Sequence, residues 1–460
     1  MTKQEQTQTT SLNEEGKRRD RAAGESHGLE ASTGGALSNR ELLLSRRHFL
    51  YGAVGVGVLA TSFGGSAFTG TAFASDEDIA YVEVPEDAVF NQEDCTIGAT
   101  SDFMILVGAF ELPYGTLVWT NGDAIAACLL PTETSKPLTQ AGVLFLGNGH
   151  YTVLLEAAIG AAQGFDIYDV RANDQGIVWT EANVFSNVWH IYTATFNGEA
   201  IGEAVKVDEG GSDWETPTIA AVGAYAFWQV LPSLSGTKLT ESSVLKRASF
   251  GKAEADTVYA SEGRMSTPPY PLRDSLVITP RTKTDTVHHQ LTLLDAKTGE
   301  AQDTLVLPQA MKPLEAGWGN TGFTFSFDGG YNHGGGIANQ GTYTPQSTKA
   351  PGDYLGRTWF HFTRSPTAPP CWCRDWFMVK SIRAVCGVNL KDKVYFVIDI
   401  ENGSDTYGDY LASTGMNGSV VTYANINSKS IEGTTRKCCL VRVWAPLPDV
   451  SAATEQPPSV

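Results

Sequence analysis

The run Ile191-Tyr192-Thr193-Ala194-Thr195-Phe196, the turn Asn197-Gly198-Glu199 and the run Val205-Lys206-Val207 read as strand, tight turn, strand. β-Branched and aromatic residues suit a pleated, half-buried backbone, and Asn-Gly supplies the positive φ that a hairpin turn requires. The figure returns in Leu291 to Asp295, then Lys297-Thr298-Gly299-Glu300, then Leu305-Val306-Leu307. Glu401-Asn402-Gly403-Ser404 offers a third such turn, so that Gly198, Gly299 and Gly403 stand 101 and 104 residues apart. Asn148-Gly149 and Phe250-Gly251 divide the series into steps of 49, 53 and 48.

Working outward, from Ile79 onward no amphipathic pattern of helical length is found. The apolar runs are short and bounded by Gly, Pro, Asn or Asp: Phe103 to Phe110, Thr116 to Thr120, Val143 to Leu146, Ile177 to Thr180, Ala220 to Val230, Leu276 to Ile278, Phe323 to Phe327, Val394 to Ile400 and Leu440 to Trp444. These are strand signals with turn punctuation. Gly115-Thr116-Leu117-Val118-Trp119-Thr120 is echoed by Gly176-Ile177-Val178-Trp179-Thr180, and Val107-Gly108-Ala109-Phe110 by Val222-Gly223-Ala224-Tyr225. A pitch of about 50 residues matches one four-stranded propeller blade, which cannot bury both faces without neighbours.

The hairpins around Gly198 and Gly299 resemble the third-to-fourth-strand hairpin of TolB-like and quinoprotein-type β-propellers. The resemblance implies an all-β fold, a β-propeller of about seven four-stranded blades. Six or eight blades, or tandem β-sandwiches, are the alternatives. The Gly-His…Trp-Asp signature of WD40 repeats and the tryptophan-docking motifs of quinone enzymes are absent.

Residues 1–44 are polar, poor in aromatic and β-branched groups, and expected to be disordered. They run into Ser45-Arg46-Arg47-His48-Phe49-Leu50, a stretch free of acids, Lys and Arg from Phe49 to Ala74, and Ala72-Phe73-Ala74 before Ser75. This resembles the twin-arginine (Tat) signal family: Arg46, Arg47, Phe49 and Leu50 match the receptor-read residues, and Ala72, Ala74 and Ser75 the cleavage site. The implied organisation is a disordered n-region (1–44), a signal peptide with its signal helix (45–74), a propeller domain (75–447) and a disordered tail (448–460). The implied partner is the Tat translocase, with export in the folded state to an extracytoplasmic place, secreted or associated with the cell envelope. Several glycines in the apolar run make it a poor spanning helix, so no stable membrane anchor is expected after cleavage.

The whole chain carries 33 Lys+Arg against 51 Asp+Glu, a net −18 over 460 residues. Without the leader, 25 basic residues face 44 acidic ones, −19 over 386 residues. Such acidity excludes nucleic acid as the default partner, because duplex binding relies on clustered cations. A hydrophobic fraction of 42% is too high for a wholly disordered acidic chain and too low for a polytopic membrane protein.

Seven cysteines lie beyond the leader, Cys95, Cys128, Cys371, Cys373, Cys386, Cys438 and Cys439. An exported chain can form disulfides, and an odd count leaves at least one thiol over. Cys438 or Cys439 paired with Cys371, Cys373 or Cys386 would staple the last strand to the preceding blade. Of the six histidines beyond the leader, only His288 and His289 are adjacent, and neighbours on a strand point to opposite faces. Gly329-Gly330-Tyr331-Asn332-His333-Gly334-Gly335-Gly336 is a candidate ligand loop around Asn332 and His333, since φ-permissive backbone can line a ligand nest. Trp359, Trp372 and Trp376, with Arg357, His361, Arg364, Arg374 and Asp375 nearby, are a candidate recognition surface in a Pro-rich loop, with packing as the competing role. Trp119, Trp179, Trp189 and Trp228 fall in strand-like runs and are expected in the inter-blade core.

Asp399, Glu401, Asp405 and Asp409 are oxygen donors of the kind calcium takes, so calcium or another metal is possible, although no cofactor is expected. No Gly-x-Ser-x-Gly elbow or Ser-x-x-Lys context suits nucleophilic catalysis. Two readings follow. One is a non-enzymatic propeller presenting loops to an extracytoplasmic protein, peptide or glycan. The other is an exported propeller enzyme, a metal-assisted hydrolase, lyase or oxidoreductase with its site in the central channel.

Overall fold

The computed structural model describes residues 89–448, apart from 235–236, 239–240, 284–285, 308–310, 321, 329–337, 344–358, 363–365, 367 and 430–434. The described strands form seven sheets, and the chain is a β-propeller. Sheet 1 begins on its inner strand Leu117–Trp119, sheet 2 on Asp166–Ala172, sheet 3 on Thr218–Val222 and sheet 4 on Tyr270–Pro271. Sheet 5 begins on Pro313–Gly319, sheet 6 on Cys371–Cys373 and sheet 7 on Tyr410–Leu411. Among the described residues, no helix is long and apolar enough to cross a membrane.

Each sheet packs both faces on its neighbours, which is why its middle strands lack the usual alternation of apolar and polar residues. Ile125–Pro131 of sheet 1 is buried at all seven positions. Even-numbered residues of that strand, such as Ala126 and Cys128, pack on sheet 7, and odd-numbered ones, such as Ala127 and Leu129, on sheet 2. Further apolar clusters join sheets 2 and 3, 3 and 4, 4 and 5, 5 and 6, and 6 and 7, so the contacts run round a closed ring. Trp179, Trp189 and Trp228 lie in these clusters, at most 2% exposed. Trp119 is only half-buried, with the Arg171 guanidinium 4.4 Å from its ring centre.

Gly149, Gly198, Gly251 and Gly299 occupy one equivalent turn, between the third and fourth strands of sheets 1 to 4. At Gly198, φ is +95°, and the Asn197 side chain accepts hydrogen bonds from the backbone N–H groups of Glu199 and Ala200. A residue with a Cβ is strained at such a φ, so the sequence marks the turn with glycine. Gly403 does not belong to this series. It lies in the connection between sheets 6 and 7, and the equivalent turn of sheet 6 runs between Val385–Asn389 and Val394–Val397.

The ring is closed by the N-terminal segment. Met104–Pro113 pairs antiparallel with the C-terminal strand Thr435–Pro446 as the outermost strand of sheet 7. Ahead of it, Val89–Phe90 adds parallel to the outer edge of sheet 5, and Thr96–Gly98 adds parallel to the outer edge of sheet 6. Two capped turns steer this strap. The Asn91 side chain accepts from Glu93 N–H at 2.7 Å, and Asp102 accepts from Ala99 N–H at 2.8 Å.

Candidate functional site

The protein's own groups link the inner edges of sheets that are not neighbours in the ring. The Tyr270 hydroxyl of sheet 4 donates to the Pro370 carbonyl, which leads into sheet 6, at 2.8 Å, and accepts at 2.8 Å the N–H of Gly415, whose short strand Gly415–Asn417 adds parallel to the inner edge of sheet 6. Asn121, following the inner strand of sheet 1, donates to the Ala221 carbonyl of sheet 3 at 2.9 Å. Gly415 has φ +82°, and a Cβ there would stand 3.0 Å from the Pro271 carbonyl oxygen, so the close approach requires glycine. Burial pushes the Tyr270 hydroxyl well above its ordinary pKa, which keeps it a neutral donor.

The two ends of the propeller differ in construction. One carries the short turns marked by Gly149, Gly198, Gly251 and Gly299, with a cleft of about 450 Å³ among Phe145, Asn148, His150, Thr152, Gly198 and Glu199. The other carries the longer connections at the starts of the inner strands and between second and third strands. There, polar side chains, one of them fully buried, hold loops whose tips expose apolar side chains. The Glu181 carboxylate is fully buried and accepts the N–H groups of Ile159 at 2.6 Å and Gly160 at 2.9 Å and the Trp179 indole N–H at 3.1 Å. Three donors offset the cost of burying that charge. Asn183 accepts from the N–H groups of Phe185 and Ser186, and its amide donates to the Gln163 carbonyl. The result leaves Ile159 51% exposed and Phe185 66% exposed on loops joined through Asn183. In the corresponding connection of sheet 3, Leu234 is 65% exposed, and the neighbouring Pro232 carbonyl accepts from Arg264 at 2.6 Å.

Between sheets 6 and 7 lies a sealed ionic cluster. Asp409 and Lys380 are 0% and 4% exposed, and Asp409 pairs with Arg442. Lys380 donates to the carbonyls of Ile382 and Tyr407. Burial outweighs the cations beside it and lifts the Asp409 carboxyl to about 6, while burial lowers Lys380 to about 8. Groups so enclosed cannot meet a substrate; they tie the connection before sheet 7 to sheet 6.

Several sequence expectations are corrected here. Trp372 and Trp376 stand on the first two strands of sheet 6 and not in a loop, because Arg374, at φ +53°, and Asp375 make the turn between them. Trp372 is 5% exposed and donates its indole N–H to Thr324 of sheet 5 at 3.1 Å. Trp376 packs 5.0 Å from Phe103 and 4.9 Å from Phe396, centre to centre, so both tryptophans are packing groups. The expected disulfides are not formed: all seven cysteines are free thiols. Cys371 and Cys373 face sheet 7, Cys386 faces sheet 5, and Cys439 faces sheet 1 beside Cys128, so the ring places the staple candidates in separate cores. Cys438 packs with Ala424, Ile426 and Leu440.

The acidic run Asp399 to Asp409 is engaged with cations and backbone. Glu401 pairs with Arg436 at 3.2 Å, and Asp405 accepts the Tyr407 N–H at 2.9 Å. Among the described residues, no group of three or more His, Cys, Asp or Glu converges as a metal site. Asn332 and His333, the signal residues Arg46, Arg47, Phe49 and Leu50, and the cleavage residues Ala72, Ala74 and Ser75 lie outside the described residues. Sequence reasoning passed over Ile159, Phe185 and Leu234. The available signal was Val184-Phe185, two apolar residues inside the turn Asn183 to Asn187.

No protein-family model matches the chain, and no curated protein matches it. Among solved structures, it is similar to the β-propeller domain of the Trilobed protease from Pyrococcus furiosus, at 10% identity and TM-score 0.41, over 76% of this chain and 99% of that one. It is also similar to the Dos1 propeller, at 10% identity and TM-score 0.36, over 73% and 95% of the two chains. A third similarity is to oligogalacturonate lyase in complex with manganese, at 10% identity and TM-score 0.40, over 75% and 98%.

Proposed function

We propose that this protein is a non-enzymatic β-propeller, exported folded by the Tat route, whose long-loop end binds an extracytoplasmic protein, peptide or glycan. The observation that carries the reading is the exposure of Phe185, Ile159 and Leu234 on loops held by side-chain hydrogen bonds from the buried Glu181 and from Asn183 and Arg264. Apolar side chains displayed on fixed loops are a common form of recognition surface. The links that Tyr270 and Asn121 make between non-neighbouring sheets occupy space at their inner edges, which supports recognition at the rim over chemistry in a central channel. Export rests on Arg46 and Arg47.

Two experiments test it. The purified protein is titrated with whatever it retains from peptide and glycan panels and from extracytoplasmic extracts. Phe185→Ser is expected to weaken that binding tenfold or more with an unchanged circular dichroism spectrum. Equal affinity in the Phe185→Ser, Ile159→Ser and Leu234→Ser variants contradicts the assignment. Replacing Arg46 and Arg47 together by Lys is expected to stop export, and undiminished export refutes the Tat route.

A further inference from the structure

At the same end, beneath sheet 4, four cation-capable side chains from separate elements converge. Arg264 comes from the connection before Tyr270–Pro271, Arg281 from the strand Arg281–Lys283, His289 from Val287–Asp295, and Lys312 from the connection before Pro313–Gly319. Arg281 and His289 are directly paired across neighbouring strands. The Arg281 stem lies over Gly263, where a Cβ would stand 3.6 Å from its Cδ, and the Ser266 hydroxyl is 2.9 Å from His289 Nδ1.

The acids are in the majority, 51 against 33, yet they do not neutralise this group. Arg264 pairs with Glu215 at 2.5 Å. Among the described residues, Arg281 and Lys312 have no carboxylate partner, and the buried Arg281 Nε has no hydrogen-bond acceptor. The strain registers on the neighbours. Burial, Arg281, Lys312 and His288 push His289 down to about 3, and the partial desolvation of an otherwise exposed side chain, with Arg281 and Arg264, lowers Lys312. Like charges held together in a partly dry site, with a hydroxyl and an unused guanidinium N–H beside them, are relieved by an anion. Arginine's fixed fork suits planar or tetrahedral oxyanions.

We propose that Arg281, Lys312 and the Ser266–His289 pair form a binding site for an oxyanion, a carboxylate, sulfate or phosphate group carried by the protein's ligand. This deepens the binding-module reading and rests on it. Arg264, fixed by Glu215 and the Pro232 carbonyl, supplies positive potential behind the site and links it to the loop that exposes Leu234.

The test is calorimetric titration of the purified full chain with acetate, sulfate and phosphate, each at one ionic strength set with sodium chloride. Saturable binding of at least one is expected, weakened tenfold or more by Arg281→Gln and by Lys312→Gln and unaltered by Lys252→Gln at the opposite end. Lys312 is exposed, so Lys312→Gln reports on binding even where Arg281→Gln unfolds the protein. Absence of saturable binding for all three anions, or binding that Lys312→Gln leaves unchanged, overturns the site. If Phe185-dependent partner binding survives that result, the oxyanion site alone fails. Oxyanion binding without any Phe185-dependent partner supports the site and contradicts the loop surface.

Discussion

Sheets 1 to 4 are each made from one uninterrupted stretch of chain, whereas sheets 5 to 7 each take a strand from residues 89–113. In the first group, inner strands begin at residues 117, 166, 218 and 270, steps of 49, 52 and 52. In the second they begin at 313, 371 and 410, and the regular pitch is lost. Local hairpins alone hold the first group's edges, while the second depends on contacts across some 270 to 340 residues of sequence, such as Val89 with Trp359 and Met104 with Pro446. Ring closure is therefore concentrated in one segment, and the entropy of closing that long loop is met by strand pairing and by Phe90, Met104 and Leu112 in three different cores.

The largest effect expected from breaking this asymmetry is deletion of residues 89–113. It removes the outer strand of sheet 7, and the thermal unfolding transition seen by circular dichroism should disappear. A cooperative transition within a few degrees of the intact protein would show that the strap is dispensable. Next come core tryptophans, one from each group. Trp179→Ala and Trp372→Ala should each cost about 3 to 5 kcal/mol in denaturant unfolding, the range for emptying a buried aromatic site. Each also removes a buried indole donor, from the Glu181 carboxylate in Trp179→Ala and from the Thr324 hydroxyl in Trp372→Ala, so both should fall at the upper end of that range.

A pH effect sharpens the contrast, because Asp409 belongs to the strapped group. Its folded pKa, about 6, lies above its ordinary 3.8, so between these values the folded state holds a proton that the unfolded state has lost. Its contribution to stability is therefore full below about pH 4 and declines as pH rises through 6. Asp409→Asn should flatten that decline, by up to about 2 kcal/mol between pH 4.5 and 7, in urea midpoints followed by tryptophan fluorescence. An identical pH slope in the two proteins would show that Asp409 does not titrate there. The smallest effect is Gly198→Ala in the regular group, expected to cost about 1 kcal/mol because φ is +95°. Gly211→Ala, where no atom lies within 4 Å of the new Cβ, should be near neutral in the same assay.

The regular group was legible because its turns need glycine and its strands need β-branched and aromatic residues, both of which leave marks at a fixed pitch. Val89–Phe90 and Thr96–Gly98 were not legible. They are two and three residues long and join their sheets through backbone hydrogen bonds, which leave no side-chain pattern. Trp372 was misread for a related reason: Pro369 and Pro370 end the loop just before the strand, so composition blurred the boundary. The oxyanion group was hidden because Arg281, His289 and Lys312 are brought together by a strand pairing and a connection that proximity in sequence does not announce. Phe185 looked like any apolar residue until its exposure was known.

The account stands on recognition at the long-loop end. The most direct measurement is the affinity of the retained partner for Phe185→Ser set beside Glu199→Gln, a change at the opposite end. The account predicts a tenfold or greater loss in the first and none in the second, and equal affinity in Phe185→Ser and the unaltered protein would contradict it.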